Sequence, residues 1–286
     1  IKSNIILIMT QNKITIVITS YKSNEKIVSC LESIDKKHEV IVVENSKNDD
    51  FKKNIEKQFS NVRCIIAGEN LGYAKGNNLG LSKVTTKYAL ILNPDAILSN
   101  TTINNFLIRA EYIKNFAIIG PATQENKKNI NKIEKFKEVS SVKGFAMFLK
   151  MEEFTEIGFF DENIFIYLEE VDLCKRLIKN KKKIFIDPDI LVKHQGGSSH
   201  DKQYNFEMEL SRNWHWMWSF FYYNKKHKGY MFALAIILKK LFSSVLKFIY
   251  YSITFNKQKK MIYFHRLSGL INSIIGKPSW YRPKIN

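Results

Sequence analysis

Apolar residues in the first part of this chain come in short unbroken runs, and between the runs they fall at helical spacing. Residues 14–18 form a β-branched run that ends at Thr19-Ser20-Tyr21, after which Asn24 opens a segment with Ile27, Leu31 and Ile34 on one helical face. The pattern recurs. Residues 40–43 predict a second strand, 51–59 a short helix around Ile55, 62–67 a third strand, and 73–83 a helix entered through a Gly/Asn loop. Residues 88–92 predict a fourth buried strand, stopped by Asn93-Pro94-Asp95. Short, wholly apolar strands separated by helices imply an α/β fold with a Rossmann-like, mostly parallel central sheet and helices on both faces. Ligands then belong at the carboxyl ends of the strands.

The second half continues less regularly. A helix is predicted over 103–113 and a strand over 117–119, and residues 122–138 turn polar and Lys/Asn-rich, as an exposed flap would. Residues 142–149 read as a strand, followed by a short helix near Glu152 and by Gly158-Phe159-Phe160-Asp161-Glu162. Val171, Cys174, Leu177 and Ile178 set a helix over 169–180, which Lys181 to Lys183 close with charge suited to its dipole. Strands at 184–187 and 190–193 flank Pro188. From Tyr204 onward the pattern is helical, with Trp214, Trp216, Trp218 and Phe220 to Tyr223 gathered in one segment. The expected organisation is a leader at 1–12, an α/β domain at 13–203 and a helical extension at 204–286, with no internal repeat.

Composition changes this picture in two places. The three cysteines, Cys30, Cys64 and Cys174, lie far apart, which argues against a disulfide framework or a structural zinc site and fits a reducing compartment. Residues 1–9 lack the features of a signal peptide, and Met9 is an alternative translation start. The net charge of +18 is uneven: residues 202–286 carry 15 Lys/Arg against Glu207 and Glu209, whereas residues 1–201 carry 30 against 25. In the extension the cations are interleaved with long apolar and aromatic helical runs, which favours an anionic membrane surface over nucleic acid. The stretch 230–238 is too short to span a bilayer before Lys239-Lys240, so it is expected either to lie in the interface or to pack as a helix pair or a dimer surface.

Three groups of residues are candidates for chemistry, each with a plainer structural reading. Asp95 follows the fourth strand, where a carboxylate could hold Mg2+ or Mn2+ through oxygen, although Asn-Pro-Asp is also ordinary turn chemistry. Glu169, Glu170 and Asp172 crowd the first turn of a helix, where acids also serve as caps. The apolar lead-in Ile164-Phe165-Ile166-Tyr167 places them at a cleft wall, and adjacent like charges there push one carboxyl upward toward general-base range. His194 ends a strand beside Gln195-Gly196-Gly197-Ser198-Ser199, as a ligand or as a packing residue. The segment from Asn70 and Gly72 through Lys75 to Asn78 enters a helix and could lay amides against a ligand.

In this order the motifs resemble the family-2 glycosyltransferases of the GT-A fold, and in particular a bacterial rhamnosyltransferase-like branch that builds surface polysaccharides. The resemblance runs from about Ile14 to His200. It rests on Thr19-Ser20-Tyr21, Glu44-Asn45-Ser46, Asn70-Leu71-Gly72-Tyr73, Gly76-Asn77-Asn78, Leu92-Asn93-Pro94-Asp95, Gly158 to Glu162, Glu169 to Leu173, and His194 with its glycines. In the extension, Arg212-Asn213 and Arg266 to Leu270 resemble the branch's closing helices.

The resemblance implies that residues 13–203 form a catalytic domain for inverting, metal-dependent sugar transfer. The donor would be a nucleoside-diphosphate sugar, dTDP- or UDP-linked, with rhamnose as the leading sugar. Asp95 and His194 would hold the divalent cation, with Asn93 standing where the family keeps its first acid. Glu170 would be the catalytic base, with Glu169 and Asp172 on the acceptor side, and Thr19, Tyr21, Glu44, Asn45, Asn70, Gly72, Lys75, Asn78 and Asn93 would line the nucleotide-sugar site. Lys75, Lys202 or Arg212 would add positive charge near the phosphates. Residues 95, 170 and 194 are then expected to converge on one cation and one sugar phosphate. The acceptor would be a saccharide, lipid-linked if the basic tail holds the protein peripherally on the cytoplasmic face of a membrane. Two rival readings are a sugar-nucleotide nucleotidyltransferase, which Thr19 to Ser23 disfavours by lacking glycine, and a non-catalytic membrane or nucleic-acid adaptor.

Overall fold

The computed structural model describes residues 13–113, 115–121, 136–194 and 199–285. The predicted leader, most of the predicted flap, and Gln195 to Ser198 lie outside these residues. Contacts divide the chain into two units: residues up to Phe160 with Leu173–Asp201, and Asp161–Asp172 with Lys202–Asn286.

The first unit is built on an eight-stranded sheet. Its strands are β1 (Ile14–Ser20), β2 (Glu39–Glu44), β3 (Val62–Ile66), β4 (Tyr88–Leu92), β6 (Ile118–Pro121), β7 (Lys137–Glu138), β8 (Ala146–Lys150) and β9 (Ile184–Asp187). Their order is β3-β2-β1-β4-β8-β6-β9-β7. The first four run parallel, β8 lies antiparallel between β4 and β6, and β9 returns parallel to β6. A separate two-stranded ladder pairs β5 (Ala96–Leu98) with β10 (Val192–His194).

Alternation along the strands sorts side chains to two cores. Ile14, Ile16 and Ile18 of β1 face one side, where they meet helices α1 (Asn24–Glu32), α2 (Asp49–Gln58) and α4 (Thr102–Tyr112). Val17 of β1, with Ala89 and Ile91 of β4, faces the other side, toward α3 (Gly72–Leu81) and the Leu173, Cys174 and Leu177 part of α5 (Glu169–Lys179). Helices thus cover both faces, as strands apolar on both sides demand. All three cysteines are buried free thiols.

Helix α3 lies flush on β1. A Cβ at Gly80 would fall 2.4 Å from Cγ1 of Val17, and one at Gly76 would fall 2.6 Å from Cγ2 of Thr19. Gly76, within the segment that reads as a possible ligand cradle, and Gly80 beyond it therefore serve close helix-to-strand packing.

Boundaries differ where a neighbour competes. The strand expected over 142–149 is Ala146–Lys150, because Val142 is turned against Gly120, with its Cγ1 2.8 Å from where a Cβ would stand. The strand expected over 190–193 begins at Val192, Ile190 being drawn fully into the core.

The second unit holds three long helices: α6 (Asn205–Lys228), α7 (Tyr230–Ile253) and α8 (Lys257–Ile274). Met217 and Phe221 of α6 meet Ala233 and Ile237 of α7 and Leu270 of α8 in its core. Trp214 and Trp218 pack with Tyr281, so this part of the aromatic cluster is interior. Gly269 lets α8 touch the α6 backbone, since a Cβ there would sit 2.1 Å from the Trp214 carbonyl oxygen. The apolar stretch read as nine residues is part of the 24-residue helix α7. Among the described residues no helix is long and apolar enough to cross a membrane.

Candidate active site

Parallel register sets the carboxyl ends of β1, β2 and β4 along one edge: Ser20 pairs with Glu44, and Ile18 with Leu92. Polar groups with unmet hydrogen-bonding capacity collect there. Oγ1 of Thr19, Oδ1 of Asn45 and Oδ1 of Asn93 are buried and have no hydrogen-bond partner among the described residues. An orphaned buried acceptor costs about 1–3 kcal/mol, which a polar ligand would relieve.

Glu44 is 2% exposed, and Ser46 donates to it at 2.7 Å. Burial pushes its carboxyl up, while the Ser46 hydrogen bond and the charge of Lys22 oppose the rise. Asn45 donates to the Gly72 carbonyl at 2.9 Å, and Asn70 accepts from the Gly72 amide at 3.1 Å. Gly72 has φ +78°, a left-handed conformation suited to glycine. The Asn78 side chain exchanges two hydrogen bonds with the Phe160 backbone, at 2.9 and 3.0 Å, which ties α3 to the Gly158–Phe160 turn. Lys75 is exposed and Tyr21 half-buried.

The β5–β10 ladder brings two predicted ligands together. It pairs His194 with Ala96, the residue after Asp95, and so sets Nε2 of His194 3.4 Å from Oδ1 of Asp95. The same nitrogen is 3.3 Å from the Asn93 amide nitrogen, and Phe145 stacks on the imidazole at 4.5 Å. Ser199 donates to Asp95 at 2.8 Å. Burial alone would raise the Asp95 carboxyl, but the His194 and Ser199 hydrogen bonds and the His194 charge outweigh it and hold the group below its ordinary value. Asp95 is therefore an ionised carboxylate at neutral pH.

A carboxylate, an imidazole and a free amide oxygen suit Mn2+ or Mg2+ chemically. Among the described residues no group of three or more His, Cys, Asp or Glu side chains is assembled to hold an ion by itself. Asp95, His194 and the Asn93 oxygen are thus a partial donor set of one carboxylate, one imidazole and one amide oxygen.

The acidic cluster is set by the second unit. Tyr167 and Leu168, directly before it, have φ of 73° and 68°. Two successive side chains in the left-handed region cost about 1–3 kcal/mol each and gather at working parts of proteins. Contacts from α6 hold the segment there: Ser219 donates to the Ile166 carbonyl at 2.9 Å, His215 stacks on Phe165, and Trp216 meets Tyr167 edge-on. Burial, then the Glu170 carboxylate, push the Glu169 carboxyl well above its usual range. Of the adjacent acids expected to repel one another, Glu169 is thus one that favours its protonated form. Burial, reinforced by Glu169 and Glu170 and opposed by Arg212, also pushes the Tyr167 hydroxyl up to about 12. Asp172 is fully buried and paired with Lys226 and His227, at 2.7 and 2.8 Å.

Several of these partners were not legible beforehand. In the sequence Ser199 stands out only as part of a glycine-rich flank, and Phe145 only as part of a predicted strand. Lys226 and His227 carried no signal, because nothing local marks a residue that meets an acid more than fifty positions away.

With this geometry in view, comparison with known proteins gives the class. The sequence profile of glycosyl transferase family 2 matches residues 15–174, and the chain belongs to that family. It is similar to the low-salt glycan biosynthesis hexosyltransferase Agl10 of Haloferax volcanii, at 27% identity over 57% of this chain and 61% of that protein. It is similar to the rhamnosyltransferase WbbL of Escherichia coli K12, at 23% identity over 74% of this chain and 92% of that one. The chain thus spans about three fifths of the archaeal relative and nearly all of the bacterial one. In fold it is similar to the mannosyltransferase PcManGT of Pyrobaculum calidifontis, solved with GDP-Man and Mn2+: TM-score 0.60, 12% identity, 92% of this chain and 87% of that.

Proposed function

We propose that this protein transfers a sugar, with inversion and with the help of a divalent cation, from a nucleoside-diphosphate donor to a saccharide acceptor. The observation that carries the reading is the ionised, buried Asp95 held beside His194 and the unpartnered Asn93 oxygen at the carboxyl end of β4. Asp95 and His194 would hold Mn2+ or Mg2+ together with the donor diphosphate, where the cation supplies Lewis-acid neutralisation of the departing charge. Thr19, Tyr21, Glu44 and Asn45 would grip the nucleoside. Glu170 is the proposed base, taking the proton of the acceptor hydroxyl as that oxygen attacks the anomeric carbon opposite the leaving nucleotide. The raised Glu169 carboxyl lessens the like charge beside Glu170, and the φ-strained Tyr167-Leu168 pair fixes where the carboxylate is presented. Single displacement of this kind needs no covalent enzyme intermediate.

For the donor we propose dTDP-rhamnose, with a UDP-linked hexose as the alternative. The likeness to the rhamnosyltransferase WbbL supports a rhamnosyl unit and the likeness to the hexosyltransferase Agl10 supports a hexosyl unit, and the choice of nucleotide is the part of the proposal that the donor panel tests. A lipid-linked saccharide is the proposed acceptor, in surface polysaccharide synthesis on the cytoplasmic face of the membrane, because the basic tail suits a protein held near anionic lipid. The test is release of nucleoside diphosphate from dTDP-, UDP- and GDP-sugars with Mn2+ or Mg2+, with and without a saccharide acceptor. Asp95→Ala and Glu170→Gln are each expected to lower turnover by roughly a hundredfold or more. Variants that turn over donor at the wild-type rate would sink the assignment.

A further inference from the structure

Helix α7 carries an outward row that its own unit leaves uncovered. Met231, Leu238, Phe242, Val245, Ile249 and Ile253 are all exposed, Phe242 at 67% and Ile253 at 70%. Their spacing keeps them on one face along about 33 Å of helix. The opposite face, with Ala233, Ile237 and Ser244, is buried. A soluble surface seldom leaves so long an aliphatic row to water.

Charge identifies what covers it. Glu209 is the last acid in the sequence, and residues 210–286 carry 14 Lys/Arg and no Asp or Glu. Lys239 and Lys247 stand exposed on α7 itself, and Lys257, Lys259 and Lys260 are exposed at the start of α8. Several ammonium groups lie against aromatic faces, Lys247 over Tyr263 at 5.3 Å and Lys259 over Tyr251 at 5.2 Å, so cation and ring reach the surface together. A second copy docking by the same face would bring two cationic, acid-free surfaces together. Nucleic acid would find aliphatic side chains where it needs polar ones. A spanning helix is excluded by Lys239, Lys240 and Lys247, which interrupt the apolar run.

We propose that α7 lies in the plane of an anionic lipid bilayer, with its exposed row in the acyl boundary and its lysines among the headgroups. This assigns the surface and its orientation, and it holds whether or not the chain transfers sugar.

The experiment is co-sedimentation of the full chain, without donor, on vesicles of phosphatidylcholine alone and of phosphatidylcholine mixed with phosphatidylglycerol. Binding is expected to the mixed vesicles and to weaken with added salt. Phe242→Glu is expected to lower the vesicle affinity roughly tenfold to a hundredfold. Replacing Lys239 and Lys247 together by Gln should lower it on the order of tenfold. Both variants change exposed side chains, so tryptophan fluorescence and nucleoside diphosphate release should match the wild type, which separates failure of docking from failure of the fold or of the sugar-transfer reading. Three outcomes overturn the proposal: no binding to either vesicle, equal binding to both, or a doubled mass in lipid-free light scattering that Phe242→Glu returns to the monomer.

Discussion

Lys226→Met tests whether the second unit holds the acidic cluster by charge. The Lys226 ammonium lies 2.7 Å from Asp161 Oδ2 and 2.7 Å from Asp172 Oδ1, with side-chain exposures of 29%, 11% and 0% for the three groups. Met keeps the length and apolar stem but leaves two buried carboxylates facing each other. Removing one partner of a fully buried ion pair costs about 3–5 kcal/mol. Partial exposure of Lys226, and the Asp172 contact to His227 that survives, reduce this to about 2–3 kcal/mol. In a unit of this size that lowers the melting temperature by about 10–20 °C. Tryptophan emission is the readout, because all four tryptophans, Trp214, Trp216, Trp218 and Trp280, belong to the second unit.

The pH dependence adds a second, independent signature. Burial raises the Asp161 carboxyl, but hydrogen bonds from Lys226 and Asn163 and the Lys226 charge prevail and hold it below its ordinary value. The folded form therefore binds its proton less readily than the unfolded chain. This stabilisation is complete above the unfolded value of about 3.9 and is lost as pH falls through the lower folded value. The variant should lose that acid-side dependence, and Lys226→Arg should keep it. A Lys226→Met protein that melts within about 2 °C of the wild type, with the acid side unchanged, would refute the ionic account.

Three further outcomes follow from the geometry. Arg109→Ala strands Asp187, which is 1% exposed and now 2.5 Å from Nε, and should destabilise the first unit by about 3 kcal/mol in urea unfolding followed by far-ultraviolet circular dichroism. Gly269→Ala must push α8 off the Trp214 carbonyl and should cost about 3 kcal/mol or more, read from the urea midpoint of tryptophan emission. Glu169 has its folded value raised, so its contribution is full below the unfolded value of about 4.3 and is lost as pH rises through the folded value. Glu169→Gln should therefore gain stability over the wild type as pH is raised from about 5 to about 8, and a constant difference across that range would count against the burial argument.

Much of the first unit was legible because its determinants are local. Residues 14–18, 40–43 and 88–92 announce buried strands by unbroken β-branched or aliphatic runs, and Asn93-Pro94 marks where the last one stops. The insertion of β8 antiparallel between β4 and β6 was not legible, because register is chosen by pairing between residues about sixty positions apart. β5 is not legible in the sequence because three residues, Ala96–Leu98, carry too little periodicity to mark a strand. Asp95 and His194 could be singled out as residue types at strand ends. What holds them 3.4 Å apart is the β5–β10 ladder. The acids at 169–172 were visible, whereas the two positive-φ residues before them are imposed by contacts from α6 that no propensity encodes.

Ser199 joins two strand ends: its hydroxyl donates to Asp95, and its carbonyl accepts from the Ser23 hydroxyl that follows β1. A ligand that takes Oδ1 of Asp95 meets that hydroxyl on the same oxygen, so occupancy there and the resting position of residue 199 are coupled equilibria. A substitution at Ser199 that removes this hydrogen bond should therefore raise the affinity of Asp95 for an incoming cation, and the cation in turn should loosen residue 199 in the native chain.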